Sequence, residues 1–480
     1  MRTDPLYRYE ELATFITNLV DKGTLRPGSR APSLRQISKQ QRTSLTTALQ
    51  AYRMLEDRGV LEAKPQSGFF VAKRPALSLE TPSMTKPPGK ATSVSVSAVV
   101  MQLLEHASNP KLVPLGCAVP SAELLAADRL DRSLARVARL KGTQYNIYTV
   151  LRGDRRLREE IARRASRWGQ ALSPDDIAIT CGCTEALTLA LKTVASPGDT
   201  IAIESPTYFG LLHIIETLDL KALELPTDAN SGIDLGALEK ALETTPIKAC
   251  LFASSFNNPL GCTVPREKKI AILELLAKYR IPLIEDDIYG DIYFGKERPE
   301  PYMALDRWEN TIYCSSFSKT VAPGYRVGWL ASGRHMQRVL ENKVAFTLCS
   351  PALAQAAMAD FLTSGGYDIH LRRIRRTFED NIEQMIGAVD RTFPKGTKAT
   401  RPAGGFVLWL ELPRPFDSRA LFTRALARGI SFAPGDVFSA TNRYRHCLRL
   451  SGGFPWSPRI EKGIKTLAEM IHASLAGGPA

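Results

Sequence analysis

The sequence predicts a multidomain chain: an N-terminal winged helix-turn-helix, a linker, and a larger α/β domain built on a mainly parallel sheet. Three observations predict it. Residues 1–72 carry three apolar patterns at helical spacing, followed by two short strand-like runs about a turn. Residues 73–95 hold four prolines and no amphipathic period. From residue 96 to 480 apolar runs alternate with helical patterns, as in a parallel sheet covered by helices. A chain of 480 residues is also too long for one ordinary domain.

In the first segment, Pro5 opens a helix in which Leu6, Tyr9, Leu12, Phe15, Ile16 and Leu19 recur at three and four, and Gly23 ends it. Ser33 caps a short helix holding Leu34 and Ile37. Ser44 caps a third, with Leu45, Ala48, Tyr52 and Leu55 on one side, which stops at Gly59. Val60 to Val71 reads as two strands about a turn, a β-wing. Residues 1–75 contain 13 Lys and Arg against 7 Asp and Glu, a net +6 of the chain's +14, so positive charge is several-fold denser here than in the other 405 residues. That density suits a polyanionic partner. The linker, taken as a random coil, spans roughly 26 Å, enough to carry the head over a neighbouring subunit.

The large domain offers strands at Ile177–Thr180, Thr200–Ile203, Ala249–Ala253, Ile281–Ile284 and Thr311–Tyr313. Ligands of such folds bind beyond the carboxyl ends of the strands, and chemistry gathers there. Cys181-Gly-Cys183-Thr184 feeds a helix N-terminus, a cradle for phosphate. Tyr208 sits on a turn after the second strand, Asn258 in a Pro-Gly turn after the third. Glu285-Asp286-Asp287 and Tyr289 follow the fourth, carboxylates whose burial requires a cationic partner. After the fifth, Ser316, Ser318 and Lys319 precede Arg326 by a turn at Pro323-Gly324. A lysine amine is a nucleophile toward carbonyl compounds, and hydroxyls with an arginine fork suit phosphate. Amine, ring partner, carboxylate, amide, phenol and phosphate cradle together fit one cofactor, pyridoxal 5′-phosphate (PLP).

No apolar run reaches the ~18 residues of a membrane span, and Met1-Arg-Thr-Asp-Pro5 lacks the core of a signal peptide. The eight cysteines show neither a disulfide framework nor the paired spacing of a metal site, so a cytoplasmic protein with reduced thiols and no metal is expected.

Two resemblances sharpen this. Pro27-Gly-Ser-Arg-Ala-Pro-Ser-Leu-Arg35, Ala51-Tyr-Arg-Met-Leu-Glu-Asp-Arg-Gly59 and Gln66-Ser-Gly-Phe69 resemble the DNA-binding domain of GntR-family transcriptional regulators. The likeness implies that Arg35 contacts phosphate and that the helix from Ser44, led by Arg42, Ser44, Thr46 and Thr47, enters the major groove of double-stranded DNA. Gln66, Ser67 and Gly68 would then reach the minor groove. This chain departs from the family in having Leu45 after the cap serine and Ala31 in place of a leucine.

The order and wording of the strand-end motifs resemble fold-type I, aspartate aminotransferase-like PLP proteins, with large and small subdomains, across residues 110–475. By that resemblance Lys319 forms the Schiff base and is the catalytic residue, Asp286 bonds the pyridine nitrogen, Tyr289 and Asn258 bond the ring's 3′-oxygen, and Tyr208 stacks on the ring. Cys183, Thr184, Ser316 and Arg326 hold the phosphate. Tyr148 reaches the phosphate of a second subunit, implying a homodimer, and Arg449 in Cys447-Leu-Arg449-Leu-Ser grips an α-carboxylate. Head, linker and aminotransferase-like domain in this order resemble the MocR subgroup of GntR regulators. The implied protein is a transcription factor whose large domain senses PLP or an amine or amino-acid effector. A working aminotransferase with an appended DNA-binding head is the alternative, since half-transamination is chemically available to Lys319, Asp286, Tyr289 and Arg449.

Overall fold

The computed structural model describes residues 8–21, 24–25, 28–57, 60–64, 67–72, 79–95 and 98–477. The chain divides into two units, Met1–Ser78 and Leu79–Ala480.

In the first unit the periodicities become helices Arg8–Asp21, Leu34–Gln40 and Leu45–Asp57, and the wing becomes antiparallel strands Leu61–Lys64 and Gly68–Val71. Leu12, Ile16, Ile37, Ala48, Tyr52 and Leu55 are buried together, and Ala31 fills the same core. Ser33 closes a capping box with Gln36, each accepting from the other's backbone N–H. Ser44 accepts from the Thr47 N–H at 3.0 Å. The Tyr52 hydroxyl donates to the Pro32 carbonyl at 2.7 Å, which ties the third helix to the turn before the second. Arg35, Arg42, Ser44, Thr46, Ser67 and Gly68 are exposed, and Leu45 is 52 % exposed. The expected helix boundaries Pro5, Gly23 and Gly59, and Gln66, lie outside the described residues.

The second unit holds a nine-stranded sheet. Lys221–Asp228, Thr200–Ser205, Ile247–Ala253, Leu283–Asp286 and Thr311–Ser316 run parallel in that order, so every strand expected there is found. The fourth begins at Leu283 rather than Ile281, because Pro282 has no N–H to give to a ladder. Gly328–Ala331 enters antiparallel beside Thr311–Ser316 and pairs on its other side with Ile177–Thr180. Side chains alternate across the sheet: Ile284, Ile312 and Cys314 pack with the helix Cys183–Val194, whereas Tyr313 and Ala331 pack on the opposite face.

A five-stranded sheet forms the small subdomain, and its edge strand Val113–Leu115 lies parallel to Ile430–Pro434. The 27-residue helix Gly366–Thr392 bridges the two parts. Tyr367, Leu371 and Phe378 pack in the large-subdomain core, and Ile382, Met385 and Val389 in the small one.

The expected linker, 73–95, is corrected by the packing of its second half. Residues 79–95 lie against the large unit. Glu80 O accepts from Ala399 N at 2.9 Å, Thr92–Ser93 pairs with Ala222 and Lys221, and Val94 is buried. The start of Lys221–Asp228, whose far end pairs with Gly232–Ile233, would otherwise be an open sheet edge, and an extended, proline-rich segment has the backbone shape to cover one. This stretch therefore supplies none of the free span that would carry the head over a neighbouring subunit.

Thr85 is the central fastening of this strap. Its hydroxyl donates to Ser205 O at 2.7 Å and accepts from Thr227 N at 2.9 Å. Thr85→Val, similar in shape, is expected to lower unfolding stability by about 1–3 kcal/mol, because it strands a backbone donor and acceptor. Denaturant titration of the full chain checks this.

Candidate functional site

The candidate phosphate cradle forms where the end of Ile177–Thr180 meets the start of the antiparallel strand Gly328–Ala331. Ile177–Thr180 turns through Cys181 and Gly182 (φ 83°) into the helix Cys183–Val194, which has no side-chain cap. The N–H groups of Cys183 and Thr184 therefore stand at a bare helix N-terminus, where the backbone dipole favours an anion. Gly328, opposite Thr180, lies so close to the Gly182 backbone that a Cβ there would collide with it. That close approach sets the Arg326 guanidinium against Gly182, donating from Nη2 to Cys181 O at 2.9 Å. Ser316 ends the neighbouring strand, buried, and its Oγ accepts from Ser318 N at 3.2 Å.

Next along the strand ends comes Asp286. Its Oδ1 accepts from Ile288 N at 3.3 Å and lies 3.6 Å from the Cys183 thiol. Burial raises its pKa to about 6, with the neighbouring Asp287 adding to the rise. The three consecutive carboxylates are satisfied differently. Glu285 accepts from Tyr302 N at 2.7 Å and Met303 N at 2.9 Å, and Asp287 is ion-paired to Arg298 and accepts from the Tyr313 hydroxyl at 2.8 Å. Asp286 points toward the cluster of site residues instead. The Asn258 side chain lies beside the Tyr289 phenol and opposes the rise that burial causes in its pKa, while the buried Asn258 Oδ1 has no partner. Tyr208 lies across Gly210, where any side chain would meet its ring, and burial raises its pKa to about 12.

Lys319 and Arg449 are held by one short backbone segment. Lys319 Nζ donates to Ala118 O at 2.6 Å, and Arg449 Nη2 donates to Gly116 O. Burial, reinforced by the Arg449 charge, lowers the Lys319 pKa to about 8. Arg449 is 0 % exposed, and its Nε and Nη1 have no hydrogen-bond partner. A buried cation left in that state is costly unless an anion reaches it.

Two family models match the chain: the gntR family of bacterial regulatory proteins over residues 8–71, and aminotransferase class I and II over residues 121–452. The uncharacterized HTH-type transcriptional regulators YdcR and YjiR of Escherichia coli (strain K12) are 37 % and 36 % identical to it. Each alignment covers 98 % of this chain, and 100 % and 99 % of the respective relative. Among solved structures, the α-aminoadipate aminotransferase LysN of Thermus thermophilus, complexed with N-(5′-phosphopyridoxyl)-L-leucine, superposes with a TM-score of 0.74. It is 29 % identical, over 79 % of this chain and 96 % of its own. The chain belongs to the MocR-type family, a gntR head fused to a class I and II aminotransferase domain.

In this MocR-type chain, Lys319, Asp286, Tyr289, Asn258, Tyr208, Cys183 and Arg449 lie within electrostatic reach of one another, Arg326 acts on Lys319, and Thr184 and Ser316 adjoin the bare helix N-terminus and the end of the neighbouring strand. Tyr148 does not join them. It is 80 % exposed, between Ile147 at 70 % and Val150 at 65 %. The sequence reading missed Gly116-Cys117-Ala118, whose two carbonyls hold Lys319 and Arg449. No signal marks it, because the contacts are made by backbone atoms. It also missed Arg298 as the partner of Asp287, although a need for a cation beside those carboxylates was legible. Among the described residues no helix is long and apolar enough to cross a membrane.

Proposed function

We propose that this protein is a transcriptional regulator that binds double-stranded DNA through its N-terminal head and senses an amino compound through PLP held at Lys319. The supporting observation is the pairing of a gntR head with a cluster that gathers a lysine amine, a buried carboxylate and an arginine whose Nε and Nη1 have no partner. The residues present fit the cofactor. The bare N-terminus of Cys183–Val194 offers N–H donors to a phosphate, and Asp286 is a buried carboxylate that a protonated ring nitrogen would satisfy.

PLP in this pocket supplies an aldehyde that captures amines and a ring that withdraws electrons. Lys319 presents the amine, Asp286 takes the ring nitrogen, Tyr289 and Asn258 the 3′-oxygen, and Tyr208 the ring face. Cys183, Thr184, Ser316 and Arg326 take the phosphate, and in a homodimer Tyr148 serves the neighbouring subunit's phosphate. Arg449 receives an effector carboxylate on Nη2 together with Nε or Nη1, the two donors without a partner. In the head, Arg35 takes a DNA phosphate, Arg42, Ser44, Thr46 and Thr47 meet the major groove, and Gln66, Ser67 and Gly68 the minor groove.

Effector and head are connected along the chain. An effector carboxylate competes with Gly116 O for Arg449 Nη2, and a Lys319 amine displaced from the cofactor would be free to donate to Ala118 O. Residues 116–118 continue backward through Val113–Leu115, the helix Ala98–Glu105 and the strap 79–95 toward the head. Only a ligand with different affinities for the two arrangements shifts DNA binding.

The test is binding of the full chain to the DNA upstream of its own gene. Affinity is expected to fall steeply with salt, and an amino compound is expected to change it in the wild type but not in Lys319→Ala, which still binds DNA. Salt-independent binding, or sustained turnover of an amino donor and a 2-oxo acid with no DNA response, overturns the reading.

A further inference from the structure

A cavity of about 1360 Å³ lies behind the sheet, on the face opposite Asp286. Asp287, Arg298 and Tyr313 form its floor, and the helix Arg155–Ala165 with Trp168 forms one wall. The bridging helix Gly366–Thr392 forms another. Of the residues assigned to the cofactor, Ser316 alone reaches it.

Its chemistry is one-sided. Nine arginines and lysines line it against six carboxylates. At least four of those carboxylates are already committed. Asp287 and Asp291 pair with Arg298, Asp368 pairs with both Arg164 and Arg167, and Glu300 pairs with Arg266. Three lining residues also carry a buried polar atom without a partner: Arg164 Nε, Thr263 Oγ1 and Trp329 Nε1. The arginine and indole nitrogens only donate, and a hydroxyl can donate. Buried donors left unmade are costly, so the missing partner is rich in acceptors. Surplus positive charge and orphaned donors together exclude a metal cation and select an anion.

We propose that this cleft binds a small polyanion, a molecule with two or more phosphate or carboxylate groups, at a site separate from the Lys319 pocket. Arg164 and Arg167 reach it from the large subdomain, and Arg372, Arg375 and Arg376 from the bridging helix that continues into the small one. Because Tyr367, Leu371 and Phe378 fix this end of the bridging helix in the large-subdomain core, the ligand lies within the large subdomain, away from the Arg449 side. It would therefore act alongside the amino compound without competing for Arg449. The site does not depend on the PLP reading.

Calorimetric titration of the full chain, saturated with PLP so that the phosphate cradle is filled, tests it with pyrophosphate and with citrate. Saturable binding of one anion per chain is expected, and the tighter of the two probes tells phosphate from carboxylate chemistry. Arg167→Gln, a half-exposed side chain, is expected to weaken binding about tenfold. Asp368→Asn, which removes the carboxylate competing for Arg164 and Arg167, is expected to tighten it, a change that damaged folding does not produce. Absence of saturable binding by both probes, or binding that neither substitution alters, overturns the proposal.

Discussion

Lys319→Met is expected to abolish covalent cofactor uptake altogether. Wild-type protein incubated with PLP and reduced with borohydride should retain one pyridoxyl group per chain by mass, and the variant none. The amine is suited to capture near neutrality. With a pKa lowered to about 8, roughly one lysine in ten is neutral at pH 7, against fewer than one in a thousand at the ordinary value of 10.5. Uptake should accordingly quicken as pH rises through 8. The same shift acts on cofactor-free stability. Because the folded protein binds this proton more weakly than the unfolded chain, the charged amine opposes folding below pH 8, and the penalty disappears as pH rises from about 8 to 10.5. The shift corresponds to roughly 3 kcal/mol, and losing the bond to Ala118 O returns about 1 kcal/mol of it. Cofactor-free Lys319→Met should therefore unfold at higher denaturant than the wild type at pH 7, with the difference shrinking toward pH 10.5. An unchanged pyridoxyl yield in the variant removes Lys319 from its role.

The second large effect concerns Arg449. Arg449→Met is expected to weaken the response to amino acids by about a hundredfold or more, since a buried, fork-like contact to a carboxylate is worth several kcal/mol. Amines made by decarboxylating those amino acids should bind the variant and the wild type alike. Cofactor absorbance, titrated with L-amino acids and with their decarboxylated counterparts, separates the two. The ligand-free variant should also be more stable by about 1–4 kcal/mol, because methionine fills the volume without a buried, half-satisfied charge. Equal loss of response to acids and amines would mean that Arg449 shapes the pocket without reading the carboxylate.

Much of the site was legible because its chemistry is local. Strand-end placement follows from apolar runs bounded by turns, so Asp286, Asn258, Tyr208 and Lys319 were each found as a polar group just past a strand. Arg326 needed only the turn at Pro323-Gly324. Partner choice was not local. Which of three successive carboxylates meets Arg298 depends on the sheet face each side chain takes and on a loop that folds back across 11 residues. The linker misled for a related reason. Prolines and the lack of a period describe an extended chain, and they are silent on whether an edge strand waits to pair with it.

The sequence by itself determined the helices and wing of the head, the parallel strands of the large domain, and the residue types that fit PLP. Period, capping and turn chemistry act over a few residues and are written in their order. Only the tertiary structure decided that Val113–Leu115 completes a sheet with strands more than 300 residues away, which delivers the carbonyls of Gly116 and Ala118 to Arg449 and Lys319. It also decided that residues 79–95 are fastened to the large unit, and that a donor-rich cleft opens behind Asp287. Those features depend on distant segments finding one another as the core packs, and no local pattern encodes that.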